Sequence, residues 1–308
     1  MTDAPTFSIV IPTFARSALL RRCLDGMTRL DATAFLFEVI VVDDGGPEPL
    51  DSLIASYADR LDLRLIRQSR AGPAAARNAG VALARGRFLA FIDDDCTPAP
   101  DWLAEFVQEF ARDNRRLLGG RVENALIDNP YSTVSEQISQ FVYEYNRAGR
   151  ALEPFFTTNN IALATDLFRT VGGFTTAIPS ATAEDKEFCD RWRAHGLSLA
   201  HVPSAIVHHA HNLTFTQFLR QHFDYGRGIL VFRLIRRRRA QSAFVPEPVR
   251  FYIDLLLSPV RMSSAGRWRL MALLAAAQIA TFAGALYEAL TRPNPTSKSG
   301  SPLPRDRN

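Results

Sequence analysis

Phe88-Leu89-Ala90-Phe91-Ile92-Asp93-Asp94-Asp95 passes from five apolar residues straight into three carboxylates. An uninterrupted apolar run of this length has the pattern of a strand buried on both faces. Such a strand delivers its terminal acids to the edge of a sheet. Successive side chains of an extended segment face opposite ways, so Asp93 and Asp95 converge while Asp94 points aside. Carboxylates that close repel unless positive charge lies between them, and a hard divalent cation with an anionic ligand supplies it. The alternative is a solvated acidic turn.

Three earlier stretches repeat the passage from apolar strand to polar turn. Residues 7–11 run into Pro12-Thr13, residues 37–42 into Asp43-Asp44-Gly45-Gly46, and residues 63–66 into Arg67-Gln68. Helical patterns at 17–30, 50–60 and 74–84 separate the four. Strands alternating with such helices predict βαβ units and a mainly parallel α/β sheet covered on both faces. Ligands of these sheets bind beyond the carboxyl ends of the strands, the edge that carries both acidic clusters.

The 308 residues are 47% hydrophobic and 22% charged, which suits a globular chain with a real core. The net charge of +4 is nearly all arginine, since Lys186 and Lys298 are the only lysines. Nothing in that balance points to nucleic acid. The run Arg236-Arg237-Arg238-Arg239 is either a solvated helix face or a contact for anionic lipid. Cys23, Cys96 and Cys189 lack metal-type spacing, which predicts free thiols in a reducing compartment. The short polar start has no signal-peptide pattern, so a cytoplasmic location is expected.

A less regular block follows, over about 117–211. Beyond it, residues 215–239 read as a helix, and residues 270–287 as an alanine-rich helix without formal charge. The latter is just long enough to span a bilayer; spanning, lying at the membrane interface, or packing as an ordinary core helix are all open. Residues 291–308 read as a disordered tail.

Four motifs carry candidate chemistry, each beside a structural alternative. Asp44 at the second strand end can accept hydrogen bonds from a nucleobase or ribose, or can serve a turn. Gly72-Pro73 opens a helix whose N-terminus favours anions, and Arg77 within it either assists or forms a structural ion pair. Glu184-Asp185 offers a carboxylate base, or else Asp185 completes a capping box with Thr182. His208-His209-Ala210-His211 either completes the aspartate metal site or is structural.

In order, Ser8-Ile9-Val10-Ile11-Pro12-Thr13, Val41-Val42-Asp43-Asp44-Gly45, Ala76-Arg77-Asn78-Ala79-Gly80, Phe91-Ile92-Asp93-Asp94-Asp95, Asn159-Asn160, Val171-Gly172-Gly173-Phe174, Glu184-Asp185 and residues 202–209 resemble a family-2 glycosyltransferase. The match covers about residues 7–211. The resemblance implies a GT-A fold over 1–211, with a nucleotide-binding half of about 1–116 and an acceptor half of about 117–211. A helical extension, with membrane association among its open readings, would then occupy 212–290.

It also implies a metal-dependent, inverting transfer of a sugar from a nucleotide-diphosphate donor, a UDP-sugar foremost, to a glycan, lipid-linked or envelope-precursor hydroxyl. By position, Asp93, Asp95 and His209 would hold Mg²⁺ or Mn²⁺, with His208 and His211 as rivals. Pro12, Thr13, Asp44, Gly72, Arg77, Asp93, Asp94 and Asn160 would meet the donor. Asp185 would be the general base, with Glu184 beside it. Asp190, and the missing Gln before Arg191-Trp192, set the chain apart from processive relatives, and work at the cytoplasmic face of a membrane is expected. Transfer to a polyprenyl phosphate, and a silent sugar-nucleotide-binding module in a membrane complex, are the alternatives.

Overall fold

The computed structural model describes residues 4–148, 155–178, 182–240, 248–261 and 267–292. The strands β1 (Phe7–Thr13), β2 (Phe37–Asp43), β3 (Leu63–Arg67) and β4 (Phe88–Phe91) pair in parallel in the order β3-β2-β1-β4. The connecting helices are α1 (Ser17–Met27), the short α2 (Asp51–Ala55) and α3 (Pro73–Ala82). The register puts Thr13 beside Asp43 and Asp43 beside Arg67, so the polar strand ends share one edge.

The same sheet continues through β5 (Cys96–Pro98), β6 (Leu117–Asn124), β7 (Ile161–Ala164) and β8 (Leu199–His209), in the order β4-β7-β6-β8-β5. Here β7 runs antiparallel to β4 and β6, β5 antiparallel to β8, and β6 parallel to β8. The sheet is therefore parallel in its first half and mixed in its second. Both halves expected from the sequence share it.

Helices α4 (Trp102–Arg112), α5 (Pro130–Arg147), α6 (Thr165–Val171) and α7 (Glu184–Ala194) complete the covering layers. Alternation along β1 sorts the core: Phe7, Ile9 and Ile11 pack with α1 and α4, whereas Val10 packs with α3, α6 and α7. Deleting one of these large buried side chains, such as Phe106, costs about 3–5 kcal/mol. A Cβ added at Gly80 would lie 2.5 Å from Val10 Cγ1, so the small residue lets α3 sit tight on the sheet. That fixes where the N-terminus of α3 meets the strand ends.

Three helices follow: α8 (Phe215–Ala240), α9 (Val249–Arg261) and α10 (Arg267–Thr291). Two glycines set the approach of α8 to α10. A Cβ on Gly226 would fall 1.8 Å from the Thr281 carbonyl oxygen, and one on Gly284 would fall 1.8 Å from that of Phe223. Arg227 Nε then reaches Glu288 Oε2 at 3.0 Å. The arginine run has a structural use, since Arg236 and Arg239 pair with Asp190 and Arg239 also with Glu187, both acids on α7. Of the tail expected over 291–308, Thr291 belongs to α10, and residues 293–308 lie outside the described residues. All three cysteines are buried and free.

Candidate active site

A cavity of about 530 Å³ opens at the carboxyl edge of β1, β2 and β4. Pro12, Thr13, Asp44, Arg77, Asp93, Asp95, Glu184, Asp185 and His209 all line it. Residues more than 100 positions apart in the sequence thus share one chamber.

The three acids lie beyond the end of β4 in a turn, where the Cys96 amide donates to the Asp93 carbonyl at 3.1 Å, and not in the extended segment expected from the sequence. Asp93 and Asp95 line the cavity, whereas Asp94 turns inward and is fully buried. Thr13 Oγ1 donates to Asp94 Oδ2 at 2.6 Å, and Arg16 Nη2 lies 3.0 Å from Asp94 Oδ1. Burial pushes the Asp94 carboxyl up to about 7 in spite of Arg16. Arg16 also reaches Asp95 Oδ2 at 3.1 Å, and Arg77 reaches Asp93 Oδ1 at 2.6 Å. Two arginines therefore balance the charge of the acids.

Antiparallel pairing of β5 with β8 sets Cys96 opposite His209 and so brings Asp95 to the histidine. His209 Nε2 is 3.4 Å from Asp95 Oδ1. Burial works to raise the Asp95 pKa, but His209 and Arg16 hold it well below the usual carboxylate range. Burial likewise works against protonated His209, and Asp95 outweighs it, so the imidazole is held above its usual value. His211 also lines the cavity, while His208 faces Glu123 at 3.6 Å. Candidate metal-ligating atoms of Asp95, Cys96 and His209 lie within 4.8 Å of one another. The Cys96 thiol is fully buried, desolvation pushes its pKa well up, and a soft sulfur donor is a poor match for a hard cation. That leaves an oxygen and a nitrogen, with the Asp93 carboxylate on the same cavity wall. This donor set suits Mg²⁺ or Mn²⁺.

Asp44 is already engaged: Gln68 Nε2 and the Ala71 amide donate to its Oδ1, and the Gly72 amide to its Oδ2, at 2.7–2.8 Å. It braces the loop that leads into α3. Gly72, at φ +89°, adopts a left-handed backbone there and does not itself line the cavity; Pro73 does.

Asp94 and Asn160, expected to meet the donor, stand behind the wall. Asn160 is spent on the fold. Its Oδ1 accepts from Trp102 Nε1 at 2.8 Å, and its Nδ2 donates to the carbonyls of Arg121 and Ala205 at 2.9 and 3.0 Å. Those bonds suture β6 to β8 at the irregularity between Gly120 and Arg121. The neighbouring Asn159 lines the cavity instead.

At the start of α7, Arg77 Nη1 holds Glu184 Oε1 at 3.1 Å. The capping box expected of Thr182 and Asp185 does not form, because Ala183 is the cap residue and no side chain caps there. Asp185 Oδ1 accepts from the amide of Lys186 at 2.7 Å. Burial, reinforced by Glu184, pushes the Asp185 carboxyl up to about 7. A carboxylate tuned to that value is suited to accepting a proton near neutrality.

Sequence reasoning missed Arg16, Glu136 and the α5 side of the wall. Glu136, Ser135, Gln221, His222 and Tyr225 all line the cavity. The proximity of Arg16 to Pro12-Thr13 was a usable signal. For α5, helical periodicity says which face is apolar but not which distant cavity the rest will wall.

The family model of glycosyl transferase family 2 matches residues 8–175, more than half of the chain. Glycosyltransferase AglE of Haloferax volcanii is 26% identical over 243 residues, which are 78% of this chain and 78% of that protein. A validoxylamine A glucosyltransferase of Streptomyces hygroscopicus subsp. jinggangensis is 29% identical over 226 residues, 64% of this chain and 54% of that protein. Among solved structures, the Pyrobaculum calidifontis mannosyltransferase PcManGT, in complex with GDP-Man and Mn²⁺, superposes with a TM-score of 0.66 at 18% identity. That superposition covers 95% of this chain and 89% of the other. S. aureus TarS 1-349 in complex with UDP-GlcNAc gives a TM-score of 0.54 at 16% identity, covering 93% and 91%. With this fold, this cavity and the matched family model, the chain belongs to glycosyl transferase family 2.

Proposed function

We propose that this glycosyltransferase moves one sugar per encounter, with inversion, from a nucleotide-diphosphate donor to an acceptor hydroxyl. The observation that carries the reading is that Asp95 and Asp185 line the same cavity, one beside His209 and the other tuned to about 7. Asp185 takes the proton of the acceptor hydroxyl as its oxygen attacks the anomeric carbon. The bond from that carbon to the diphosphate breaks, and its electron pair leaves with the nucleotide. Attack from the side opposite the leaving group inverts the carbon.

Asp95 and His209, with Asp93 alongside, would hold a divalent ion. When bound, that ion neutralises charge growing on the diphosphate. Arg16 and Arg77 hold their carboxylates in place. Pro73, at the N-terminus of α3, presents a helix end favourable to phosphate. The solved relatives named above hold GDP-Man and UDP-GlcNAc, which supports the nucleotide-sugar class without choosing the base.

The acceptor side is read as lying near a membrane at its cytoplasmic face. α10 is long and apolar enough to cross a bilayer, with a mean hydropathy of 1.7 over its best window. Its outer face exposes Trp268, Ile279, Phe282 and Leu290.

The test is Asp185→Asn, assayed against UDP-, GDP- and dTDP-sugars with Mg²⁺ or Mn²⁺. Donor affinity should stay within about twofold, while transfer falls by 10²-fold or more. Normal turnover by the variant refutes the base assignment.

A further inference from the structure

Three buried polar atoms on the α5–α8 side of the cavity have no hydrogen-bond partner: Ser135 Oγ, Gln221 Oε1 and His222 Nε2. Each unmade bond of this kind costs about 1–3 kcal/mol. His222 is only 3% exposed. Its ring packs edge-on against Phe218, with centroids 4.6 Å apart, so the side chain is fixed rather than adrift.

We propose that α5 and α8 form an acceptor subsite for a neutral, hydroxyl-rich group such as a sugar, with Ser135, Gln221 and His222 as its polar contacts. The inference rests on the transferase reading and extends it to the acceptor class.

Position supports it. A Cβ on Gly228 would lie 2.0 Å from Thr182 Oγ1, so α8 lies against the segment that leads into Asp185. Tyr225, on the same stretch of α8, is pushed up to about 12 by burial, and the charges of Asp185 and Glu184 act on it in the same direction. The wall therefore faces the carboxylate that must meet the acceptor hydroxyl.

The chemistry of the three atoms selects the ligand. Gln221 Nε2 already donates to Tyr225 Oη at 2.5 Å, so its free atom is a carbonyl oxygen that only accepts. Burial pushes His222 down to about 4, which leaves a neutral ring. Ser135 both donates and accepts. Hydroxyls, which also do both, satisfy all three. An ionised phosphate only accepts, and would meet the Gln221 oxygen lone pair against lone pair. Among the described lining residues from α5 and α8 there is no Lys or Arg, and the ionisable ones are Glu136, His222, Asp224 and two tyrosines. This side of the cavity is built for hydroxyls, not for an anionic headgroup.

The experiment compares the full-length protein with His222→Phe and Ser135→Ala. His222→Phe keeps the ring against Phe218 and removes both nitrogens. Transfer is measured to a panel of methyl glycosides and, separately, to a short polyprenyl phosphate, with donor Kd by calorimetry and Tm by scanning fluorimetry. The proposal expects transfer to at least one neutral glycoside. For that glycoside each variant should raise acceptor KM by about tenfold, the loss of one good hydrogen bond. Donor Kd and Tm should hold. Unchanged acceptor KM in both variants, or transfer to the polyprenyl phosphate alone, overturns the subsite while leaving the transferase reading intact. Absence of donor binding by the parent protein removes that reading, and the subsite with it.

Discussion

Arg77 Nη1 lies 3.1 Å from Glu184 Oε1, a contact that ties α3 to the first turn of α7 over a separation of 107 residues. The same guanidinium holds Asp93, so one buried cation joins the acid after β4 to the residue beside Asp185. Removing it leaves Glu184 buried and unpaired. Arg77→Met should therefore cost about 3–5 kcal/mol of stability, read from urea midpoints. Arg77→Lys should recover only part, because an ammonium cannot fork between two carboxylates. A midpoint unchanged in Arg77→Met would show that the bridge is not formed in solution.

Arg77 also draws down the Asp185 pKa against the larger effects of burial and Glu184. With the carboxyl at about 7, the transfer rate should climb through neutral pH as Asp185 loses its proton. Stability should move the other way. The folded pKa lies above the unfolded value of about 3.9, so between the two the folded chain holds the extra proton. The contribution is full below about pH 4 and is lost as pH rises through about 7. Glu136, pushed to about 7 by burial, acts in the same sense. The urea midpoint at pH 5 should exceed that at pH 8, and Asp185→Asn should narrow the gap. A gap of full size in that variant would mean that Asp185 titrates normally.

Metal dependence separates the histidines. EDTA should abolish transfer, and Mn²⁺ or Mg²⁺ should restore it. Asp95→Asn and His209→Ala should each weaken Mn²⁺ binding by tenfold or more, measured by calorimetry without substrate turnover. His208→Ala should leave it unchanged, because His208 turns to Glu123 on the other side of β8. Equal losses in His208→Ala and His209→Ala would displace the ion from the proposed position.

The parts legible in the sequence are those set by local patterning. Apolar runs ending in turn residues marked β1, β2 and β4, which are buried on both faces, and the edge strand β3, which is only half-buried. Asp93 and Asp95 do share the cavity, but through a turn beyond β4 and not through the strand alternation that the apolar run suggested. Asp94 and Asn160 misled because a polar residue next to a site looks the same whether it faces the ligand or holds the wall. Only the fold shows Thr13 and Arg16 closing over Asp94, or Trp102 claiming Asn160. The meeting of Asp95 with His209 depends on the β5–β8 register, a pairing over more than 100 residues that no local pattern encodes. Ser135 and Glu136 on α5 were hidden for the same reason, since a helix reveals its apolar stripe but not its distant neighbour.

The last helix divides along its length into a packed and an unpacked side. Leu274, Ala277, Gly284 and Glu288 are buried, with Gly284 pressed on the α8 backbone. Ile279 and Phe282 are 70% and 72% exposed. Exposed apolar side chains on a helix already braced along one side are suited to dipping into a bilayer interface. The protein should float with vesicles that contain anionic lipid, aided by exposed arginines such as Arg267 and Arg269. Burying one such side chain is worth about 1.5–3 kcal/mol, so the pair Ile279→Ser and Phe282→Ser should cut vesicle binding by tenfold or more. Both positions face away from the α8 contact, so Tm without lipid should hardly move. Undiminished flotation of that double variant would assign membrane contact to another surface, and a large drop in Tm would show that this face is covered by protein.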